Sequence, residues 1–366
     1  MKIGIITIHN TNNYGAILQA YATQEIFKKF GYVNILNYKN KKTSDGLMVV
    51  RFAWSVNGFI RALKDIYRVI PRYMLVAKFN RFINKYFNLT ELADEKSISS
   101  IALGFDVLVS GSDQIWNPAC ISNNECLDSS YFLKFGSVNV IKISYATSIG
   151  NYEFKEEMLN EISAYLKHYD HISVREKRTK KILQSIVQKE VKIVLDPTLL
   201  LSDVEYDKLV PRKAKKNIVP YILVYIVPGD PLLGKIVQQC KKMYKLPVVV
   251  IDQSLHRRIP GAKKIANAGI EEFITLLKNA FLIITDSYHG MCFSIIYKKN
   301  FLVISSKKEE ARITTLVSHL GLKNLVTKNE TIEVPVNIEY SAVFQRLKKM
   351  QNQSIKYLEQ VFRTQK

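Results

Sequence analysis

Ile3-Gly4-Ile5-Ile6-Thr7-Ile8, followed by His9-Asn10-Thr11-Asn12-Asn13-Tyr14-Gly15-Ala16, opens the chain, and the reading of this stretch decides the fold. The first run is short, apolar and largely β-branched, which marks a buried strand. The second is polar, and its Gly15 lets the backbone turn sharply and present N–H groups at the start of a helix. Helical periodicity then runs from Ala16 to Phe30 and stops at Gly31. Strand, polar turn and helix in that order form the repeating piece of parallel α/β domains.

The same rhythm continues outward. Val33–Asn37, Phe105–Ser110, Val140–Ser144, His171–Val174 and Val191–Leu195 read as further strands, and Phe154–His168 reads as a helix. At Asp196-Pro197-Thr198 the proline discourages a continuing helix, and the chain can change domain there. A second series follows. Its strands are Tyr221–Ile226, Pro247–Ile251, Phe281–Thr285 and Asn300–Ile304, and its helices Lys235–Tyr244, Ile270–Ala280 and Met291–Lys298. Ser341–Thr364 is one long amphipathic helix. The expected architecture is α/β, with two doubly wound Rossmann-type domains facing one another across a cleft. The boundaries expected are 1–196, 197–338 and a C-terminal helix, 339–366, packing back on the first domain. In such sheets ligands sit beyond the C-terminal ends of the strands.

A chain of 366 residues exceeds one ordinary core, in agreement with two domains. No stretch reaches the roughly 18–20 apolar residues of a membrane span, and the N-terminus lacks the features of a signal peptide. Cys120, Cys126, Cys240 and Cys292 have neither a C-x-x-C pair nor zinc-finger spacing, so reduced thiols in a cytoplasmic protein are expected. The net charge of +21 attracts anions: phosphorylated substrates, nucleic acid or an acidic membrane. A general richness in lysine accounts for such a charge equally well. Its aromatics form no stacking platform of a single-strand-binding module, so nucleic acid is not an expected partner.

One segment, 47–87, breaks the rhythm. It holds Arg51, Arg61, Lys64, Arg68, Arg72, Lys78, Arg81 and Lys85 against one acid, Asp65, with Trp54, Phe59, Tyr67, Tyr73, Phe79, Phe82, Tyr86 and Phe87 interleaved. Two readings stand. These are insertion helices packed on the first domain with a solvated basic face, or helices lying in a membrane interface or against a lipid-linked acceptor.

Chemistry-bearing residues gather where strands end. Asn12, Asn13, Tyr14 and Gly15 follow the first strand and suit an anionic or hydroxyl-rich ligand, or else simply cap a turn. Ser112, Asp113, Gln114 and Trp116, in Gly111-Ser112-Asp113-Gln114-Ile115-Trp116-Asn117, suit a sugar, whose C–H faces stack on an exposed indole while its hydroxyls take hydrogen bonds. Asp113 there either orients or deprotonates an acceptor hydroxyl or caps the structure. Arg175, in Ser173-Val174-Arg175, arrives at a strand end, where a guanidinium fork can hold phosphate or carboxylate. Asp286-Ser287-Tyr288-His289-Gly290 places His289 at a strand end, before a helix expected to start near Gly290. Anions are favoured at such a terminus. A bound phosphate there would hold the histidine in its charged, proton-donating form.

Taken in order, Asn12–Tyr21, Gly111–Asn117, Ser173–Arg175, Asp196–Thr198 and Asp286–Gly290 resemble the polysaccharide pyruvyl transferase family, from Ile3 to about Leu322. The resemblance implies a GT-B-like pair of Rossmann-type domains, the first on the acceptor side and the second on the donor side. It implies phosphoenolpyruvate as donor substrate, with no cofactor and no metal. The acceptor it implies is a sugar of a surface polysaccharide, such as an exopolysaccharide or capsule, or its lipid-linked precursor, at the cytoplasmic face of the membrane. The family's Ser-x-Arg arginine and His-Gly histidine serve the donor, and here they are Arg175 and His289, expected as anion clamp and general acid. Ser287, Tyr288 and Gly290 are expected to line the donor site. Some members carry an arginine where this chain has Ser287, and Arg312 is the candidate substitute. The alternative enzyme is a GT-B nucleotide-sugar glycosyltransferase, with Glu271 or Glu272 as the donor-side carboxylate. A third class is a non-catalytic basic binding protein.

Overall fold

The computed structural model describes residues 1–51, 54–67, 69–137, 139–211, 219–254, 257–305, 310–330 and 338–363. Arg68 of the basic segment, the Arg61 side chain and the expected helix end at Thr364 lie outside the described residues. Backbone contacts divide the chain into two compact units. The first comprises Met1–Lys64, Phe79–Leu200 and Lys349–Lys366, the second Asp65–Lys78 and Leu201–Lys348.

The first unit is built on five parallel strands in the order β3-β2-β1-β4-β5. They are β1 Lys2–Ile6, β2 Tyr32–Tyr38, β3 Leu89–Ala93, β4 Val107–Ser110 and β5 Ile141–Ser144. A parallel pair, β6 Ile172–Val174 and β7 Val191–Ile193, continues the sheet through bridges from Ile143 to His171 and from Thr147 to Val174. The helix Tyr14–Phe27 is buried along nearly its whole surface; its sequence is mostly apolar, and its buried Gln19, Thr23 and Gln24 are hydrogen-bonded. Late in the chain, Lys349 onward joins this unit, where Leu195 N donates to Ser354 Oγ at 2.9 Å and Phe362 stacks on Phe30 at 4.6 Å.

In the second unit, β8 Ile222–Tyr225, β9 Val248–Ile251, β10 Ala262–Ile265, β11 Leu282–Thr285, β12 Asn300–Ile304 and β13 Val326–Thr327 form one parallel sheet ordered β10-β9-β8-β11-β12-β13. Counted from β8 this is the doubly wound Rossmann order. Ile222, Val224, Leu282, Ile284 and Leu302 project from it into an apolar core with Ile236 and Val237 of the helix Leu232–Tyr244. Two Rossmann-type units in one chain make the α/β, GT-B-like class expected from the sequence. Each sheet reverses direction at one place, between β1 and β4 and between β8 and β11. The loops that leave the C-terminal ends of those strands are where such sheets bind ligands.

Candidate active site

Both reversal points carry the polar motifs. In the first unit, the loop after β1 is spent largely on structure. Asn13 Oδ1 caps the helix Tyr14–Phe27, accepting from Gly15 N at 2.9 Å and Ala16 N at 3.2 Å. Tyr14 is expected to meet a ligand, but its ring is buried against Phe79 at 5.2 Å, because it opens a helix buried on nearly every side. Asn12 stays half-buried at the loop surface and Gly15 is buried beneath the Asn13 cap. His9 is fully buried, with Nδ1 3.0 Å from the Thr7 carbonyl and Nε2 3.2 Å from the Asn37 side chain. Burial pushes its pKa below the usual histidine value, against the smaller opposing effects of those two hydrogen bonds.

After β4 the sequence reading needs correction at two residues. Trp116 is not an exposed stacking platform. It is wholly buried, lies 5.2 Å from Phe132 with the rings nearly parallel, and donates its indole N–H to Tyr131 O at 3.0 Å. A tryptophan with its one donor satisfied inside the protein is a core residue. Ser112 is also fully buried, donating to Ala146 O at 3.2 Å and Asp196 Oδ2 at 3.1 Å. Gln114 is half-buried and accepts from Asn117 Nδ2 at 2.7 Å, while Asn117 caps the following short helix.

Arg175, expected at the donor, is deeply engaged. Its guanidinium is 1 % exposed and lies among three carboxylates. Nε donates to Glu176 Oε1 at 2.9 Å, Nη2 to Asp113 Oδ1 at 3.1 Å, and Nη1 to Asp196 Oδ2. Asp196 is fixed in turn by Thr198, whose N and Oγ1 donate to Oδ1 at 3.0 and 2.6 Å. Asp-Pro-Thr therefore anchors this cluster; an aspartate at a strand end was its only sequence signal. With these three carboxylates on its donors, Arg175 positions their side chains. Asp113, its side chain 11% exposed, is the least buried of the four and holds a φ of +79° in the loop leaving β4.

In the second unit the motif after β11 is compact. Thr285 Oγ1 donates to Tyr225 O at 2.8 Å and accepts from Ser287 N at 3.1 Å, binding β11 to β8 across the reversal point. Asp286 accepts from Val227 N at 2.8 Å, Gly229 N at 2.6 Å and Asp230 N at 3.1 Å, so it fixes the loop leaving β8. Burial raises the pKa of its carboxyl and those donors oppose the rise. Ser287, expected at the donor, is the N-cap of the helix Tyr288–Ile296, its Oγ accepting from Gly290 N at 3.3 Å. That helix begins at Tyr288 rather than near Gly290, which puts His289 inside its first turn. Tyr288 touches both remaining candidates: the His289 ring lies 5.2 Å away, edge-on, and the Arg312 guanidinium lies 5.7 Å from its ring centre. His289 and Arg312 are both largely buried. Glu272, the carboxylate of the glycosyltransferase alternative, is engaged with Lys78 Nζ at 2.7 Å and Gly269 N at 2.7 Å.

The fold and these sites define a two-domain α/β protein whose polar groups sit at the reversal points of its sheets. The chain belongs to the polysaccharide pyruvyl transferase family, whose sequence model matches residues 13–308. It is therefore a transferase of polysaccharide biosynthesis, and the family implies a sugar or polysaccharide acceptor. No curated protein matches the chain. Solved structures similar to it include a UDP-GlcNAc 2-epimerase from Neisseria meningitidis bound to UDP-GlcNAc, at 13% identity and TM-score 0.48, covering 97% of this chain and 93% of that one. A glycosyltransferase from Streptomyces nogalater is similar at 11% identity and TM-score 0.44, covering 99% of each.

Proposed function

We propose that this enzyme moves the pyruvyl group of phosphoenolpyruvate onto hydroxyls of a sugar in a cell-surface polysaccharide or its lipid-linked precursor, closing a pyruvate ketal. The observation that carries the reading is His289 in the first turn of the helix Tyr288–Ile296, at the reversal point of the second sheet, with Tyr288 in contact with both its ring and the Arg312 guanidinium. The helix N-terminus and Arg312 supply positive potential for phosphate and carboxylate, the part first assigned to Arg175. Protonation of the donor's methylene carbon by the His289 imidazolium leaves an oxocarbenium-like centre at the neighbouring carbon. An acceptor hydroxyl adds there and gives its proton to water. The carbon–oxygen bond to phosphate then breaks, phosphate leaves with the bonding pair and takes up a proton from water, and a second hydroxyl closes the ketal while returning a proton to His289.

Phosphate release from phosphoenolpyruvate with a panel of sugars tests this. His289→Ala is expected to lower the rate by about 10²–10⁴-fold, the usual contribution of a general acid, with an unchanged melting temperature. Full activity in that variant, or binding of UDP- or GDP-sugars in place of phosphoenolpyruvate, would sink the proposal.

A further inference from the structure

The helix Val56–Tyr67 is inside out. It buries Gly58, Ala62 and Asp65 and exposes Val56, Phe59, Ile60, Leu63, Ile66 and Tyr67, the large apolar positions at helical spacing. Val56 is 78% exposed, Tyr67 85% and the preceding Trp54 96%. The apolar run continues on the helix Val69–Tyr86, where Val69, Ile70, Tyr73 and Met74 are exposed while Leu75, Val76 and Phe79 are buried. So much exposed apolar surface in one short segment marks an interaction site. The face turned to solvent is apolar as well as basic.

Charge and side-chain type select the occupant. The only acid between residues 47 and 87, Asp65, is fully buried and lies 3.7 Å from Arg72, so it adds no negative charge to the exposed face. Lys64, Arg81 and Lys85 are exposed on the same two helices. A second copy of a chain with net charge +21 would bring a like field against this surface, whereas an anionic bilayer brings the opposite one. Tryptophan and tyrosine at the rim of an apolar face are the residues that settle at the headgroup level. Among the described residues no helix is long and apolar enough to cross a membrane, so the segment would lie in the interface.

We infer that the exposed apolar face of Val56–Tyr67, with Trp54 beside it, docks the enzyme on an anionic lipid surface. This deepens the lipid-linked acceptor reading, which gives the docking its purpose, but its test needs neither donor nor turnover.

The full-length protein is mixed with vesicles of phosphatidylglycerol and phosphatidylcholine, or of phosphatidylcholine alone, and floated through a density gradient. Wild type is expected to float with the anionic vesicles and remain behind with the neutral ones. Phe59→Ser/Leu63→Ser/Ile66→Ser is expected to lower the floating fraction at least tenfold, with unchanged melting temperature and phosphate release toward a soluble sugar. Equal flotation of this variant, no flotation of wild type at low salt, or a patch-dependent dimer in place of vesicle binding would overturn the inference.

Discussion

Asp113 holds a φ of +79°, a left-handed conformation that costs a side-chain-bearing residue about 1–3 kcal/mol unless its surroundings enforce it. Here Arg175 Nη2 and Gln114 N grip Oδ1, and Ser148 N donates to its carbonyl. Such strain at the end of a central strand fits a residue held ready for a substrate. Two substitutions separate the grip from the chemistry. Asp113→Asn keeps the size and tolerates the left-handed backbone but loses the charge offered to an acceptor hydroxyl, so the KM for the sugar is expected to rise about tenfold, the loss of one charge-assisted hydrogen bond, with the KM for phosphoenolpyruvate little changed. Arg175→Met leaves Asp113, Glu176 and Asp196 without their cation in a buried site, and breaking such a cluster costs about 3–5 kcal/mol. Urea unfolding would show this loss. An Arg175→Met protein of native stability and normal kcat would remove the positioning role.

At the scale of the element, the turn from β11 into the helix Tyr288–Ile296 is fixed by Gly290. A Cβ there would meet Thr285 Oγ1 at 2.4 Å and Tyr225 Cδ1 at 3.0 Å, and Thr285 is already bonded on both sides. Gly290→Ala is therefore expected to push the first turn, and His289 with it, off the sheet. Overpacking of this kind costs about 1–3 kcal/mol, and kcat should fall further than stability alone explains; thermal melting beside phosphate-release assays reads both. This element also shows what the sequence could reveal. Strands buried on both faces, such as Leu282–Thr285, have a continuous apolar run and are found within a residue or so. The edge strand Ala262–Ile265 carries Lys263 and Lys264, and Leu89–Ala93 carries Thr90 and Glu91, so neither has that run and only pairing creates them. The site was legible as positions at strand ends, not as orientations. Nothing in Gly111–Asn117 tells that Trp116 stacks in the core while Asp113 binds a buried guanidinium, since that depends on the Phe132 and Arg175 brought in from elsewhere in the chain.

For the whole molecule, acid weakens the fold in two ways at once. His9 and His171 both have pKa values lowered by burial, so the folded first unit keeps them neutral while the unfolded chain protonates them near pH 6.5. A depressed folded pKa gives stability that is present above the unfolded value and lost as pH falls below it, with a slope of at most about 1.4 kcal/mol per pH unit for each group. Acidification also adds positive charge to a protein already at +21, and self-repulsion loosens the compact state further. Salt tells the two apart, because it screens repulsion between surface charges but not the desolvation of a buried imidazole. Unfolding free energy measured by denaturant between pH 7.5 and 5.5 is expected to decline at low salt and to decline less steeply, though still clearly, at high salt. His9→Gln should flatten the high-salt profile, since it removes the more deeply buried titrating ring. A high-salt profile already flat in wild type would assign the acid sensitivity to net charge alone, and would mean that the imidazole between Thr7 and Asn37 accepts a proton in place.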